Sequence, residues 1–390
     1  MKRSAFLKLW REDDLRLSRA FVSSHAGMTE RELAEIEDGE REPFVDELSA
    51  LARVLGLHVD QLLPDEIPPA QAPEPIRMLL KSSEDFRPSE QARYAMTDAA
   101  RAALDLLDLQ KAGPSSGQSR IEPSPIPRDT HIPEFKLGGE LAKKVRRTFN
   151  VVGPIPSMVE FVADTMGIPV LGADLGELGP DAFTVYAPRK HAAIVLNIAV
   201  SGKNSNALAR RFTLAHELGH ALFDRPPQGA AYGVVCAVLQ DRKLRAETRA
   251  NAFAMRLLLP EKEIEALRKS ILEPQVFRGT MMKWGVHYAA LQLYVSKTLG
   301  LSDEDTRRIP YLGISTPHRW REAEELPCEQ TPLLPVQIPA HRRDPLMGVA
   351  FEAYAAGEIG AGELRELLGV DSSIVPAQIA AVLGRSLAEV

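Results

Sequence analysis

The residues best suited to chemistry in this sequence are those of His-Glu-Leu-Gly-His, residues 216–220. On a helix, His216 and His220 would lie one turn apart on the same face, where both imidazoles can bind one tetrahedral metal ion. Glu217 would lie beside the open position of that metal, where its carboxylate can take a proton from an attacking water molecule. The spacing therefore predicts a zinc centre with Glu217 as the catalytic base.

A catalytic zinc ion usually has three protein ligands, and the sequence offers two candidates for the third. The favoured ligand is Glu247, which opens a helical segment whose apolar face packs inward. The alternative is Asp224, four residues after His220 and on the same helix face. Asn251 follows Glu247 by one turn, where its side chain can hydrogen-bond a ligand imidazole. We therefore expect one Zn²⁺ per chain, held by His216, His220 and Glu247.

The helix around the motif is predicted to be buried, since apolar residues surround it almost completely. These residues are Phe212, Leu214, Ala215, Leu218, Ala221 and Leu222. Gly219 costs about 1 kcal/mol relative to alanine inside a helix, so close approach of another backbone or of a substrate would explain it. The N-terminus of this helix can be capped by Asn204, Ser205 or Asn206.

Two segments, RRFTLAHELGH and ETRANAFAMRLLLP, resemble the paired signature of the ImmA/IrrE-like metallopeptidases. The motifs agree with that family in sequence, order and separation, and a looser resemblance extends from about residue 135 to 300. The resemblance implies that His216, His220 and Glu247 bind zinc and that Glu217 is the base. Members of the family are typically regulatory proteases that cleave a repressor, often one with a helix-turn-helix. The resemblance thus implies a role in transcription regulation and the stress response.

The chain begins with a predicted all-helical module, residues 1–66, in which residues 18–56 resemble an XRE-type helix-turn-helix. The matching residues are Ala20, Val22, Gly27, Thr29, Leu33, Ile36, Glu37, Gly39, Pro43, Leu48, Ala52, Leu55, Gly56, Asp60, Leu62 and Leu63. In such modules the recognition helix enters the major groove, which would be the segment 29–35 here. The residues that would meet DNA are Ser18 and Arg19 at phosphate and Thr29, Glu30, Arg31 and Glu35 at bases.

The net negative charge of this module does not decide whether it binds DNA or another protein. Residues 1–66 contain nine Lys or Arg and fifteen Asp or Glu, whereas phosphate contacts supply much of the affinity for DNA. Arg16, Arg19, Arg31 and Arg41 could still form one basic edge, which a homodimer would double. Binding to promoter DNA and pairing with another helix-turn-helix protein are both consistent with this pattern.

The remaining sequence predicts a mainly α protein with a small β-sheet, an α+β class. The predicted units are the helix-turn-helix (1–66), a helical connector (67–111), a flexible linker rich in Gly, Pro and Ser (112–130), a zincin-like peptidase domain (131–305) and a Pro-rich segment with a helical C-terminal region (306–390). Strand-like runs are IPVLGAD, AFTVYAP and HAAIVLNIAV. The basic tract near residues 143–149 is interpreted as a solvated helix face. The C-terminal helices are expected to pack against the catalytic domain, although one has a helix-turn-helix rhythm.

The composition is that of an ordinary globular protein, with 390 residues, 45% hydrophobic and 26% charged, and a net charge of −6. No stretch reaches the roughly 18 apolar residues of a membrane span, so we expect no membrane partner and a cytoplasmic protein.

The chain has two cysteines, too few for a Cys-based zinc site. Cys236 could ligate the metal in a latent state, but a buried apolar role is favoured.

These features favour a regulatory zinc endopeptidase whose substrate is a helix-turn-helix repressor. The front module would dock the substrate, and the linker would raise its concentration near the zinc centre. Tyr232 and His287 are candidates for stabilising the oxyanion. The alternative is a DNA-binding transcription regulator whose peptidase-like domain acts as a sensor or interaction module.

Overall fold

The computed structural model describes most of the chain, and most of what it describes is helical. The described residues are 1–67, 77–79, 88–112, 132–187, 192–224, 233–235, 240–309, 316–330, 338–370 and 373–384. The predicted α+β class, mainly helical with a small sheet, is confirmed. The predicted linker (112–130) lies outside the described residues except for Ala112, as do Tyr232 and Cys236. No helix in the described ranges is long and apolar enough to cross a membrane.

The first 67 residues fold around a hydrophobic core of their own. Their helical elements are α1 (Arg3–Leu9), a π-helical turn (Trp10–Leu15), α2 (Arg19–Ala26), α3 (Glu30–Glu37), α4 (Val45–Leu55) and a 3-10 turn (Val59–Gln61). Gly27 ends α2 with a φ of 72°, a left-handed conformation that glycine adopts at little cost, and this starts the turn toward α3. Leu33 and Leu51 are fully buried between the helices.

Within the described residues, five strands form one mixed sheet. They are β1 (Arg77–Leu79), β2 (Val170–Ala173), β3 (Ala182–Tyr186), β4 (Ala192–Asn197) and β5 (Gly233–Val235). The spatial order is β1-β5-β3-β4-β2, with β3 antiparallel to both of its neighbours and the two outer pairs parallel. The three strand-like runs of the sequence are β2, β3 and β4. The sequence did not predict β1 and β5, which are only three residues long and lack room for an alternating pattern.

The other described regular elements are helical. They are α5 (Glu90–Ala112), α6 (Glu134–Thr148), α7 (Met158–Glu160), α8 (Ala207–Phe223), α9 (Gln240–Leu258), α10 (Glu261–Ala266), α11 (Pro274–Trp284), α12 (Tyr288–Leu299), α13 (Asp303–Arg308), α14 (His318–Ala323), α15 (Pro327–Gln330), α16 (Leu346–Ala355), α17 (Ala361–Leu368) and α18 (Pro376–Val382). A π-helical turn (Phe161–Thr165) follows α7, and 3-10 turns occupy Lys203–Ser205 and Ala340–Arg342.

Both faces of the sheet are covered by helices. Successive side chains on a strand point to opposite faces, so Ile194 and Leu196 pack into the core that contains α8 and α9, while Val195 points the other way. On that second face Val195 shares a core with α5, for example Ala103, and with Leu346 of α16. The sheet is therefore the middle layer of three.

The packing of α5 joins the segments on the two sides of the predicted linker. This helix precedes the linker, yet it forms one core with strands that follow the linker. The front module also contacts α5, since the side chain of Arg93 donates to the carbonyl oxygen of Arg16 at 2.8 Å. The front module thus reaches the catalytic block through α5, and the linker does not determine the distance between them.

The C-terminal region is joined to α8 by a fully buried ion pair between Arg211 and Glu324. Arg211 also donates to the carbonyl oxygens of Ile155 (2.7 Å) and Gly285 (3.1 Å), and its guanidinium lies 4.1 Å from the ring centre of Trp320. Gly285 has a φ of 63°, and a Cβ atom there would clash with Arg211 and Trp320. The predicted turn at this glycine is therefore part of the binding pocket of a buried guanidinium.

Replacing Glu324 by glutamine is expected to lower the free energy of unfolding by about 3–5 kcal/mol, because the buried charge of Arg211 would lose its counter-ion. The exposed neighbour Glu325 gives the matched control, and Glu325→Gln should change stability by less than about 0.5 kcal/mol. Urea denaturation of the three proteins measures both effects. Equal midpoints for Glu324→Gln and the unmodified protein would contradict the expectation.

Candidate metal centre

The helix that carries the motif, α8, is capped and buried as the sequence predicts. The Asn206 side chain accepts hydrogen bonds from the backbone amides of Leu208 (2.9 Å) and Ala209 (3.3 Å), which makes it the cap among the three candidates. Almost every residue of the helix is buried, including Glu217 and His220. The motif is therefore held on a rigid element in the centre of the fold.

Small residues let α8, α9 and α6 approach one another closely. A Cβ atom at Gly219 would lie 3.0 Å from the Phe253 ring and 3.5 Å from the Cα atom of Ala250, both on α9. This is the backbone approach that the sequence predicted for Gly219. At Gly138 of α6, a Cβ atom would clash with the carbonyl oxygen of Arg249. The two helices α8 and α9 therefore pack closely enough for their side chains to meet.

Three side chains converge at this contact: His216, His220 and Glu247 can each place one ligand atom within 4.8 Å of the other two. The Nε2 atoms of His216 and His220 lie 3.0 Å apart. The Glu247 carboxylate oxygens lie 3.4 Å from His216 Nε2 and 3.5 Å from His220 Nε2. The structure thus brings together the three residues that the sequence predicted as ligands.

These distances fit a tetrahedral zinc ion. Two ligand atoms that each lie about 2.0–2.1 Å from a tetrahedral centre are about 3.3–3.4 Å from each other. The three distances above lie close to this value. Two imidazoles and one carboxylate are also a donor set that binds zinc and leaves a fourth position for water.

The charges around His220 and Glu247 lead to the same conclusion. Burial lowers the pKa of His220, but hydrogen bonds with Asp224 and Glu247 outweigh it and raise the pKa to about 10. Burial raises the pKa of Glu247, but hydrogen bonds with His216 and His220 hold it well below its usual range. Two carboxylates therefore stabilise a positive charge at His220, and a bound cation would take the place of that proton.

The ring nitrogens on the far side of each imidazole also have partners. His220 donates from Nδ1 to Asp224 Oδ2 at 2.8 Å, and His216 donates from Nδ1 to Asn251 Oδ1 at 3.2 Å. Such contacts fix the tautomer and orientation of a ligand imidazole. Asn251 lies where the sequence placed it. Asp224, the alternative third ligand, contacts the nitrogen opposite to the other two ligands and is not one of the three that converge.

Several positioning residues were missed by the sequence reasoning. Arg249 forms ion pairs with both Asp224 and Glu134, and so ties the imidazole partner to α6. On the strand next to α8, Thr184 donates to Glu217 Oε2 at 2.8 Å, and Tyr186 donates to the backbone carbonyl of His220 at 2.7 Å. The available signal was the pair of hydroxyl groups two residues apart in the otherwise apolar β3.

Glu247 and His287 differ in position from what the sequence suggests or leaves open. Glu247 was expected to open its helix, but α9 begins at Gln240, because the intervening charged residues are good helix formers. His287, an oxyanion candidate, lies just before α12. Burial and the charge of Lys203 lower the pKa of His287. Lys203 precedes the start of α8, whereas His216 lies near the middle of that helix. His287 is therefore influenced by a residue at the N-terminal end of α8 and not by the converging ligands.

The residues predicted to meet DNA phosphate have acidic partners within the chain. Glu90, near the start of α5, accepts from the backbone amide of Ser18 and from its hydroxyl (3.1 Å). Arg19 donates to the buried carboxylate of Glu37 at 2.9 Å. A carboxylate thus occupies the N-terminus of α2, where a phosphate was expected.

The predicted base-facing residues lie along α3. Thr29 caps this helix through a capping box with Glu32. Arg31 is 89% exposed and donates to Glu35 at 2.8 Å, while Glu30 is exposed beside it. The surface of this helix is therefore mostly acidic, and its single exposed arginine is paired within the helix.

Residues 166–293 match the family model of the IrrE N-terminal-like domain, Peptidase_M78. The matched segment runs from just before β2 into α12 and contains all three converging ligands. Searches among curated proteins and among solved structures found no match for the chain. The match agrees with the ImmA/IrrE resemblance over this segment and points to a peptidase. The XRE-type resemblance of residues 18–56 lies outside it.

Proposed function

We propose that this chain is a regulatory zinc-dependent endopeptidase. The observation that carries the proposal is the convergence of His216, His220 and Glu247 on one partly buried point, with Glu217 adjacent to the two histidines on the same helix. The family match to a peptidase domain covers all four residues. A zinc ion held there would polarise the scissile carbonyl and acidify a water molecule.

The chain's own residues would supply the proton transfers and the orientation. Glu217 is the proposed general base: its carboxylate accepts the proton of the attacking water and then delivers it to the leaving amine. The hydrogen bond from Thr184 holds that carboxylate on one side, so it does not have to be ordered during the reaction. Asp224 and Asn251 keep the ligand imidazoles in the orientation that binding needs.

The substrate we propose is another helix-turn-helix protein, a transcriptional repressor, recognised by the front module. In the structure the front module contacts α5, and α5 packs on the sheet whose opposite face carries α8. The acidic partners of Ser18 and Arg19 favour a protein over DNA at this surface, since a phosphate would meet carboxylates there. Binding to promoter DNA and homodimer formation stay predictions, as does the alternative of a regulator whose peptidase fold acts only as a sensor.

Cleavage of candidate repressors by the zinc-loaded protein tests this proposal. We expect one cut at one site. We also expect Glu30→Lys to lower kcat/KM by about tenfold, since it reverses an exposed charge on α3 of the front module. The matched control is Glu358→Lys, which reverses an exposed charge in the C-terminal region and should leave cleavage unchanged. Mass spectrometry of the products identifies the site.

The outcomes separate a regulatory from a general peptidase. Cleavage of one repressor that depends on Glu30 supports the proposal. Digestion of unrelated unfolded proteins at equal rates, unaffected by Glu30→Lys, would make the chain a general peptidase. Complete absence of cleavage with zinc bound would favour the sensor alternative.

A further inference from the structure

A groove of about 770 Å³ lies away from the three converging ligands, between the end of α6, the turn after it, α10 and the end of α11. Its volume is in the range of small-molecule binding sites. The tract near residues 143–149, interpreted from sequence as a solvated helix face, forms one wall. Trp284 and Val152 contribute apolar surface to the groove.

The groove is positively charged although the chain is not. The cationic residues that line it are Lys143, Arg146, Arg147, Arg256, Lys262 and Lys283, and the anionic ones are Glu261, Glu263 and Glu265. Six cations and three anions give a net charge of +3, in a chain whose net charge is −6. A cleft of one sign raises the local concentration of ligands of the opposite sign.

Half of these cations are available to a ligand. Arg147, Lys262 and Lys283 are exposed, and within the described part of the chain they form no salt bridge. Lys283 lies with its ammonium 5.4 Å from the ring centre of Trp284. Among the described residues, therefore, no carboxylate is close enough to form an ion pair with any of these three charges, which come from three different helices.

The walls that carry these cations are fixed by buried arginines. Arg146 donates to the carbonyl oxygens of Leu257 (2.5 Å) and Gly153, which joins α6 to the end of α9 and to the turn after α6. Arg256 is buried and donates to Glu261 at 3.2 Å, and its guanidinium lies 4.0 Å from the ring centre of Phe135. The groove is thus formed by tertiary contacts that exist before any ligand binds.

We propose that this groove binds a small molecule that carries two or more phosphate groups. Three separate free cations match a ligand with several negative charges better than a single carboxylate. Arginine and lysine together suit phosphate, since a guanidinium binds two of its oxygens and an ammonium acts as a point charge. The exposed side chain of Val152 would contact the uncharged part of the ligand.

The location of the groove connects it to the proposed metal centre. Arg256 and Glu247 are on the same helix, α9, nine residues or about 14 Å apart. A ligand in the groove would therefore lie beside the helix that carries the third proposed metal ligand. The binding itself does not depend on the proposed peptidase activity, so it can be tested alone.

Calorimetric titration of the zinc-loaded protein with inorganic pyrophosphate tests the proposal. We expect one site per chain, weaker at higher salt, and a Kd at least about tenfold larger in Arg147→Ala and in Lys283→Ala. Both residues are exposed, so the variants should fold. Arg278→Ala is the matched control, because it removes an exposed cation from the same helix as Lys283 but outside the groove.

Three results would overturn the proposal. No binding of pyrophosphate at low salt would remove the site. An unchanged Kd in Arg147→Ala and Lys283→Ala would place the ligand elsewhere, for example on the zinc. Equal affinity for citrate would show that the groove selects negative charge and not phosphate. Loss of binding in those two variants alone, with citrate weaker than pyrophosphate, supports the proposal whether or not the protein cleaves a peptide.

Discussion

Purified protein is expected to contain about one zinc ion per chain, and His216→Ala to lose it. The His216 imidazole supplies one of three donors within 4.8 Å of one another, and its removal leaves only His220 and Glu247. Two protein ligands do not make a stable zinc site. Elemental analysis after dialysis against a weak chelator measures the loss. His318→Ala, an exposed histidine away from the centre, is the control and should retain zinc.

The same measurement separates ligands from positioning residues. Glu247→Gln should lose zinc nearly as completely as His216→Ala, whereas Asp224→Asn should weaken zinc binding by about 10–100-fold, the usual cost of losing a partner of a ligand imidazole. This order follows from which nitrogen of His220 each carboxylate faces. Unmodified protein that contains no zinc and takes up none, or Asp224→Asn that loses it more completely than Glu247→Gln, would contradict the assignment.

The sequence predicted the elements around the metal centre because their signals are local. The i, i+4 spacing of His216 and His220, the apolar residues around them and the cap at Asn206 all lie within one helix. The strands β2, β3 and β4 were predicted because each is a continuous apolar run of sufficient length. Glu247 was favoured because it belongs to a helical segment with an apolar face, and the family resemblance supported the same residue.

The remaining features depend on contacts between segments far apart in the chain. The hydroxyl of Thr184 in an otherwise apolar strand does not identify Glu217 as its partner, and nothing near Glu134 indicates that it will pair with Arg249. The same holds for α5: its apolar residues predict a buried face, but not that this face covers a sheet formed after the linker. The periodicity of apolar residues in a sequence predicts which residues are buried, but it does not predict which residues they contact.

Glu217→Gln is expected to keep the fold and the zinc and to lower kcat on the proposed repressor substrate by about 10²–10⁴-fold. An amide cannot accept the proton of the attacking water, but its carbonyl oxygen can still accept the hydrogen bond from Thr184. Glu217 is not one of the three converging ligands, so zinc content should equal that of unmodified protein.

This combination of intact metal and lost turnover distinguishes the base from a structural residue. Zinc content, urea midpoint and kcat should be measured on the same preparations of unmodified protein, Glu217→Gln and the exposed control Glu358→Gln. A merely structural Glu217 would lower the midpoint together with kcat, and a metal ligand would lower zinc content together with kcat. Full activity of Glu217→Gln would exclude Glu217 as the base, because the amide that replaces its carboxylate cannot accept the proton.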